Sequence, residues 1–268
     1  MFVVKVGGSE GIDYDAFIKD LLNHNNYIIV HGGSSELNEV STKLGKPPKF
    51  VESVSGYTSR FTDRETMDIF NMIYAGKMNK MIVEKMQQIN INAIGLSGID
   101  GRLIEGKKKR SLKIIENGKK KILRGDMSGM IEKINHNLIE LLLQNGYTPV
   151  ITPPAISYEG EAINVDGDRC AGQIAVSVKA DQLIILSNIP GLLKDPNNEA
   201  TLIRKIRIDE IDFNIENYAK GRMKKKLLGA KEAIEGGVKS VILGDARISS
   251  PITAALNGNG TIIEWMIG

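Results

Sequence analysis

Short Val- and Ile-rich runs alternate with amphipathic stretches along most of this chain, and that alternation confines it to an α/β fold. Phe2–Val6, Tyr27–Val30, Ala93–Leu96, Thr148–Thr152, Gln182–Leu186, Ser240–Leu243 and Thr261–Trp265 are apolar over four or five residues. They are too short for helices and lack the in-out alternation of a half-exposed strand, so they predict strands buried on both faces. Helical periodicity fills the intervals at Tyr14–Asn23, Ser34–Leu44, Arg64–Ile73, Lys80–Gln88, Asn135–Gln144, Gly167–Val178 and Met223–Glu235. Strand and helix in regular exchange predict a three-layer αβα sandwich around a central, mainly parallel sheet. The length of 268 residues accommodates one such domain or two small ones, and no repeat or low-complexity linker marks a boundary.

Residues 102–125 interrupt the rhythm. They hold ten Lys or Arg against two Glu, a net charge of +8, whereas the remainder holds 25 basic and 30 acidic residues and is net −5. Positive charge concentrated in one segment of an otherwise acidic chain points to a local acidic partner; the plainer alternative is a solvated lysine-rich face. Leu103–Glu105, Leu112–Glu116 and Lys119–Leu123 are strand-like, and Asn117-Gly118 is a hairpin turn pair. A basic β-hairpin insertion is therefore expected, and a second hairpin over Ala155–Tyr158 and Ala162–Asn164, turning at Glu159-Gly160. Nucleic acid is disfavoured as a partner, because no aromatic interleaves the basic residues and the rest of the chain is acidic. Cys170 is the single cysteine, so no intrachain disulfide can form. The N-terminal MFVVKVGG lacks a basic-then-apolar leader, and no apolar run reaches the roughly 18 residues of a membrane span. A cytoplasmic protein with no membrane partner is expected.

Glycine pairs follow the first two strands, as Lys5-Val6-Gly7-Gly8-Ser9 and His31-Gly32-Gly33-Ser34. Each alone is as well read as a tight turn. On successive parallel strands they meet at the carboxyl edge of the sheet, where α/β proteins bind ligands and where free backbone N–H groups can approach an anion. The dinucleotide fingerprint G-x-G-x-x-G is missing after every strand. Gly101–Lys108 approximates a phosphate loop, but it lacks the final Ser or Thr and falls in the basic hairpin rather than between strand and helix.

Asn164-Val165-Asp166-Gly167-Asp168 stands where a strand pattern gives way to a helix, and the polar cluster reads equally as a ligand site or as a helix cap. Together with the glycine pairs, Arg60, Ala75-Gly76 with Asn79-Lys80, Ser187-Asn188-Ile189-Pro190-Gly191-Leu192 with Asp195, and Gly221-Arg222-Met223-Lys224-Lys225-Lys226, it resembles the amino-acid kinase family over nearly the whole chain. The likeness is to its N-acetylglutamate kinase branch, whose last segment runs Gly-Met-x-x-Lys. The resemblance implies a single kinase domain, with about 1–180 forming the lobe that binds the acyl acceptor and about 181–268 forming mainly the nucleotide lobe. It implies ATP with Mg²⁺, and a homodimer. Lys5 and Lys226 would flank the transferred phosphoryl group, with Asp168 holding both; Lys224 and Lys225 compete with Lys226 for its place. Gly7, Gly8, Gly32 and Gly33 would donate backbone N–H groups to phosphate and substrate. Arg60 and Asn164 would grip the amino-acid end of the acceptor, and Ser187, Asn188, Gly191 and Asp195 would line the nucleotide site.

Two departures from the free-acetylglutamate branch stand out, the segment Tyr57–Thr66 and the basic hairpin. Both resemble the branch that acts, in lysine or arginine biosynthesis, on α-aminoadipate or glutamate attached to a small acidic amino-group carrier protein. That likeness implies carrier docking on Lys107, Lys108, Lys109, Arg110, Lys119, Lys120 and Lys121, where charge would steer an acidic partner to the site. The alternatives are an N-acetylglutamate kinase of arginine biosynthesis and a non-enzymatic nucleic-acid-binding protein. His24, His31 and His136 are scattered, so with one cysteine no protein-held metal site is expected. His31 is expected to brace its glycine loop, Cys170 to be a small core residue, and Met67, Met72, Met78, Met81 and Met86 to be core or subunit-contact residues.

Overall fold

The expected alternation is realised as an eight-stranded sheet covered on both faces. The computed structural model describes residues 1–54 and 56–265. In chain order the strands are β1 (Phe2–Val6), β2 (Tyr27–His31), β3 (Phe50–Ser53), β4 (Thr58–Arg60), β5 (Ala93–Ser97), β6 (Ile104–Lys108), β7 (Leu112–Glu116) and β8 (Lys119–Leu123). They continue with β9 (Gly129–Ile134), β10 (Thr148–Thr152), β11 (Ala155–Ser157), β12 (Ala162–Ile163), β13 (Gln182–Ser187), β14 (Lys205–Arg207), β15 (Ser240–Asp245) and β16 (Thr261–Glu264). The helices are α1 (Tyr14–Asp20), α2 (Ser34–Lys43), α3 (Arg64–Asn71), α4 (Asn79–Gln88), α5 (His136–Gln144), α6 (Gly167–Ser177), α7 (Ile211–Asn217), α8 (Gly221–Glu235) and α9 (Pro251–Leu256).

The main sheet runs β14-β16-β15-β13-β1-β2-β10-β5, parallel except for the β15–β16 pair. Neighbouring residues in a strand face opposite ways, which is why every position of β1 is apolar or buried. Val3, Ile28, Val30, Leu183 and Ile185 join Cys170, Ala171 and Ile174 of α6 and Leu227, Ala230 and Ala233 of α8 in one core. Val4, Val6, Ile29, Ile184 and Leu186 pack on the other face with Phe17 and Ile18 of α1, Ile82 and Met86 of α4, and Ile252 of α9. Small residues draw α6 and α8 together: a Cβ on Gly172 would lie 3.5 Å from the Gly229 carbonyl and 3.6 Å from Ala233 Cβ. That close approach is what later brings an acid of α6 against a lysine of α8.

Two four-stranded sheets, β12-β11-β6-β9 and β4-β3-β7-β8, stand beside the main one. The Asn117-Gly118 turn forms as expected, with φ of 52° and 74°, and β7 pairs antiparallel with β8. The basic segment is not one insertion, however: β6 pairs with β9 and β11, whereas β7 pairs with β3. The expected hairpin of β11 and β12 is present.

Two helices expected to be separate, Arg64–Ile73 and Lys80–Gln88, are continuous. A π-helical stretch, Met72–Met78, carries the chain from α3 into α4, and its wider turn accommodates Gly76 without a break. One result is that Asn79 is buried against the sheet, its Nδ2 donating to the Val150 carbonyl at 3.0 Å.

Candidate active site

The two glycine loops touch, as adjacent parallel strands require. A Cβ on Gly8 would fall 2.2 Å from Gly33 N and 2.6 Å from its Cα, so only glycine fits there. The Gly8 carbonyl accepts from Ser34 Oγ at 3.1 Å and from the Ser35 amide at 2.7 Å. The Gly7 and Gly32 amides are committed within the sheet, to the Leu186 and Val6 carbonyls at 2.9 and 3.0 Å. Of the four glycines expected as donors, Gly7 and Gly32 therefore have their amides engaged and allow the close approach instead, and the Gly33 amide faces the Tyr74 hydroxyl; Tyr14 Oη donates to the Gly7 carbonyl at 2.7 Å.

His31 braces the second loop. Its Nδ1 lies 2.9 Å from the Gly32 carbonyl and its Nε2 3.1 Å from Asn79 Nδ2, an arrangement that a neutral ring protonated on Nδ1 satisfies. Burial, with smaller contributions from Lys5 and Lys80, lowers its pKa from 6.5 to about 4, against the pull of the Gly32 carbonyl. A histidine with a depressed folded pKa takes up its proton on unfolding, so its contribution to stability is lost as pH falls from 6.5 towards 4. The full effect approaches ~3 kcal/mol. We expect the acid-side fall of stability, measured by denaturant titration at pH 7 and pH 4.5, to be shallower in His31→Asn; an unchanged difference would refute the assignment.

On the α6–α8 face of the sheet, Lys5, Asp168 and Lys226 form one buried cluster. Lys5 comes from the carboxyl-terminal end of β1, Asp168 from the first turn of α6 and Lys226 from the second turn of α8. Lys5 Nζ is 2.8 Å from Asp168 Oδ1 and Lys226 Nζ is 3.0 Å from Oδ2. The Lys226 contact is an aligned hydrogen bond, whereas the Lys5 contact is an ion pair off the hydrogen-bond axis. Burial alone would raise the Asp168 pKa, but the attraction of Lys226 and Lys5 outweighs it and holds the carboxyl well below the usual range. Burial and the repulsion of Lys5 leave Lys226 below the ordinary lysine value despite Asp168. Asp166 caps α6, accepting from the Asp168 and Arg169 amides at 3.0 Å each, and so fixes the turn from which Asp168 projects. Of the three consecutive lysines, Lys226 is the one that meets Asp168: Lys225 Nζ donates to the Thr58 carbonyl at 2.7 Å, and Lys224 Nζ lies 5.6 Å from the Tyr57 ring centroid.

Arg60 and Asn164 belong to a polar network that sequence reading only half found. Arg60 Nη2 donates to Asn38 Oδ1 of α2, while its Nη1 is buried with no partner among the described residues. Asn164 Nδ2 donates to Thr62 Oγ1 at 2.9 Å. Thr62 is held in turn by Asp126, which accepts from the Thr62 amide at 2.9 Å and from the Ser128 amide at 2.9 Å. Asn38, Thr62 and Asp126 were not singled out in the sequence; their pairing spans up to 102 residues and becomes visible only in space. A buried guanidinium edge without a partner matches a carboxylate ligand.

The remaining expected residues divide. Ser187 ends β13 beside the first glycine loop and Asn188 follows it, Asn188 Nδ2 donating to the Glu10 carbonyl at 3.2 Å. Gly191 (φ +154°) presses on Thr261, whose Oγ1 a Cβ would meet at 2.5 Å. Asp195 caps its own loop through the Asn197 amide at 3.0 Å. Of the basic residues, Lys107 pairs with Glu132 at 3.7 Å, Lys108 with Glu161 at 2.9 Å and Lys121 with Glu116. Lys109, Arg110, Lys119 and Lys120 make no ion pair among the described residues, and Lys109 lies near enough to repel Lys225.

A match to the amino acid kinase family covers residues 1–245. The chain is 58% identical to the LysW-aminoadipate kinase of Deinococcus radiodurans, over 98% of this chain and 91% of that protein. It is 39% identical to the acetylglutamate kinase of Methanobrevibacter smithii, over 97% and 92%. In fold it resembles the N-acetylglutamate synthase of Neisseria gonorrhoeae, with a TM-score of 0.80 at 20% identity over 100% of this chain and 60% of that one.

Proposed function

Because the chain belongs to the amino acid kinase family, we propose that it transfers the γ-phosphoryl group of ATP to the side-chain carboxylate of α-aminoadipate held on a small acidic, LysW-like carrier protein. The product is an acyl phosphate, an intermediate for lysine biosynthesis; a glutamate conjugate is a second acceptor of the same chemistry. The single observation that carries this reading is the buried Lys5–Asp168–Lys226 cluster beside the paired glycine loops.

The carboxylate is already ionised at neutral pH, so no general base is needed. One of its oxygens attacks the γ-phosphorus, the bond to the β,γ-bridging oxygen breaks, and its electron pair leaves on ADP. Catalysis then consists of positioning and charge stabilisation. Lys5 and Lys226 neutralise the migrating group's oxygens, and Asp168 keeps both ammonium groups charged and aimed. Gly8 offers its amide to the phosphates while Gly33 holds the second loop against it, and Ser187 and Asn188 line the nucleotide side, with Gly191 and Asp195 shaping the loop. Arg60 takes the acceptor's carboxylate end, and Asn164 and Thr62 set that wall. Both Asp168 oxygens face lysines, and no three His, Cys, Asp or Glu converge as a metal site among the described residues. Mg²⁺ would therefore ride on the triphosphate, where it screens charge between donor and acceptor.

The sheet half β14-β16-β15-β13 corresponds to the proposed nucleotide lobe after residue 180, and β1-β2-β10-β5 to the acceptor lobe. We place the protein in the cytoplasm as a homodimer; no helix among the described residues is long and apolar enough to cross a membrane. Carrier docking falls to Lys109, Arg110, Lys119 and Lys120, supported by Lys107, Lys108 and Lys121. Replacing the first four by serine is expected to raise the carrier KM about tenfold, an effect shrinking with added salt, with ATP KM unchanged. An unaltered carrier KM removes the docking assignment and leaves the kinase. The reading itself is tested by hydroxylamine trapping of acyl phosphate from the aminoadipate and glutamate conjugates and from free acetylglutamate in parallel. Turnover of free acetylglutamate equal to that of the conjugates would move the protein to the acetylglutamate kinases, the reading that the 39% relative favours.

A further inference from the structure

The Gly-Met-x-x-Lys pattern has glycine directly before its methionine, where this chain has Arg222. Arg222 is the second residue of α8, one helical turn before Lys226, and so lies on the same face of that helix. Gly221, at φ +52°, turns the chain into the helix, a left-handed conformation that suits glycine. The Arg222 guanidinium crosses to the first glycine loop, Nη1 donating to Ser9 Oγ at 3.3 Å. It has no carboxylate partner among the described residues, although the chain pairs many of its other exposed arginines with acids, Arg169 with Glu232 and Arg207 with Asp209. Instead it stands near other cations: burial first and then Arg222 lower Arg60, and burial, Lys109 and Arg222 lower Lys225. Asp166 offsets part of this at Lys225 but is itself engaged in capping α6, and cations gathered at a glycine loop draw the rest of their counter-charge from the ligand.

We infer that Arg222 is a third cation of the transfer site, reaching the γ-phosphoryl oxygens from the solvent side as Lys5 and Lys226 do from within. This rests on the kinase reading. While the acceptor oxygen–phosphorus bond forms and the bond to ADP breaks, charge spreads over three equatorial oxygens, and the guanidinium fork can bind two of them. ADP lacks those oxygens, so Arg222 separates ATP from ADP.

The test is calorimetric titration of the full chain with Mg²⁺ and either ADP or the β,γ-imido analogue of ATP, in wild type, Arg222→Ala, Arg222→Lys and Lys224→Ala. Arg222→Ala is expected to weaken the imido analogue about tenfold, leave ADP within about twofold, and lower kcat by roughly a hundredfold with little change in acceptor KM. Arg222→Lys recovers part of this, and Lys224→Ala behaves as wild type, as do the melting temperatures of all variants. Equal weakening of both nucleotides, or of neither, overturns the inference and leaves the kinase standing. A wild-type chain that binds neither nucleotide overturns the kinase reading itself, and this inference with it.

Discussion

Lys226→Ala is expected to lower kcat by about three orders of magnitude while ADP binding and the KM for the acceptor stay near their wild-type values. Removing one charge-stabilising group aimed at a developing anion typically costs 10²–10³ in rate, roughly 3–4 kcal/mol of barrier. Lys226 belongs at the upper end, because it is buried and its aim is fixed by a 3.0 Å hydrogen bond to Asp168. Low dielectric strengthens its attraction to phosphoryl oxygens relative to an exposed lysine. The neighbouring residue provides the control. Lys225→Ala removes an amine already engaged with the Thr58 carbonyl and should change kcat less than about tenfold. Steady-state kinetics on both variants, with ADP titrations to verify the nucleotide site, decide the matter. A Lys226→Ala enzyme within tenfold of wild type, or a Lys225→Ala enzyme that is the more damaged, would displace Lys226 from the chemistry.

The contrast between these adjacent lysines shows what the sequence could convey. Runs such as Val3-Val4 and Ile184-Ile185 announce strands because both neighbours must be apolar when both sheet faces are covered. The glycine pairs and their side-by-side placement followed from strand order. Likewise the turn at Asn117-Gly118 needed only backbone chemistry, since both residues adopt positive φ. Other elements gave weaker signals. β3 and β4, Phe50–Ser53 and Thr58–Arg60, are short and largely exposed or half-buried, with no apolar run to detect. α9 is six residues long, and its signal was a single Pro251 at the helix start. For the site, Lys5 and Lys226 lie more than two hundred positions apart in the chain, so periodicity could not join them; the family resemblance supplied that pairing. It supplied Arg60 and Asn164 as well, but not Asn38, Thr62 or Asp126, which act by holding those residues and follow no spacing rule. The basic hairpin of β7 and β8 formed as expected, but three strand-like segments in succession do not reveal that the first, β6, joins a different sheet.

Asp168→Asn should be the most destabilising single change in the site, and the least tolerated by catalysis. The amide keeps the shape of the side chain but removes the one negative charge between two buried ammonium groups. Breaking a buried ion pair from one side leaves an uncompensated charge and costs about 3–5 kcal/mol, a large share of the 5–15 kcal/mol typical of a folded domain. The variant can relieve this only by releasing a proton from Lys5 or Lys226, whose folded pKa then falls below the unfolded value near 10.5. An amine depressed in the folded state binds fewer protons than it does unfolded, so stability rises with pH in that range. The deficit of Asp168→Asn should therefore be largest near neutrality and narrow between pH 7 and 10, whereas the wild-type gain over that range is smaller, because the ionised Asp168 offsets most of the depression of Lys226 and raises Lys5. Relief by deprotonation also strips a charge the phosphoryl group needs, so activity falls even where the fold recovers. Adding Lys226→Met to Asp168→Asn removes one of the two repelling amines and should restore part of the stability without restoring turnover. Denaturant titrations of the single and double variants at pH 7 and pH 9.5 measure each of these differences. An Asp168→Asn protein within about 1 kcal/mol of wild type at pH 7, or one whose deficit does not change with pH, would mean that the carboxylate is not what holds the two amines together.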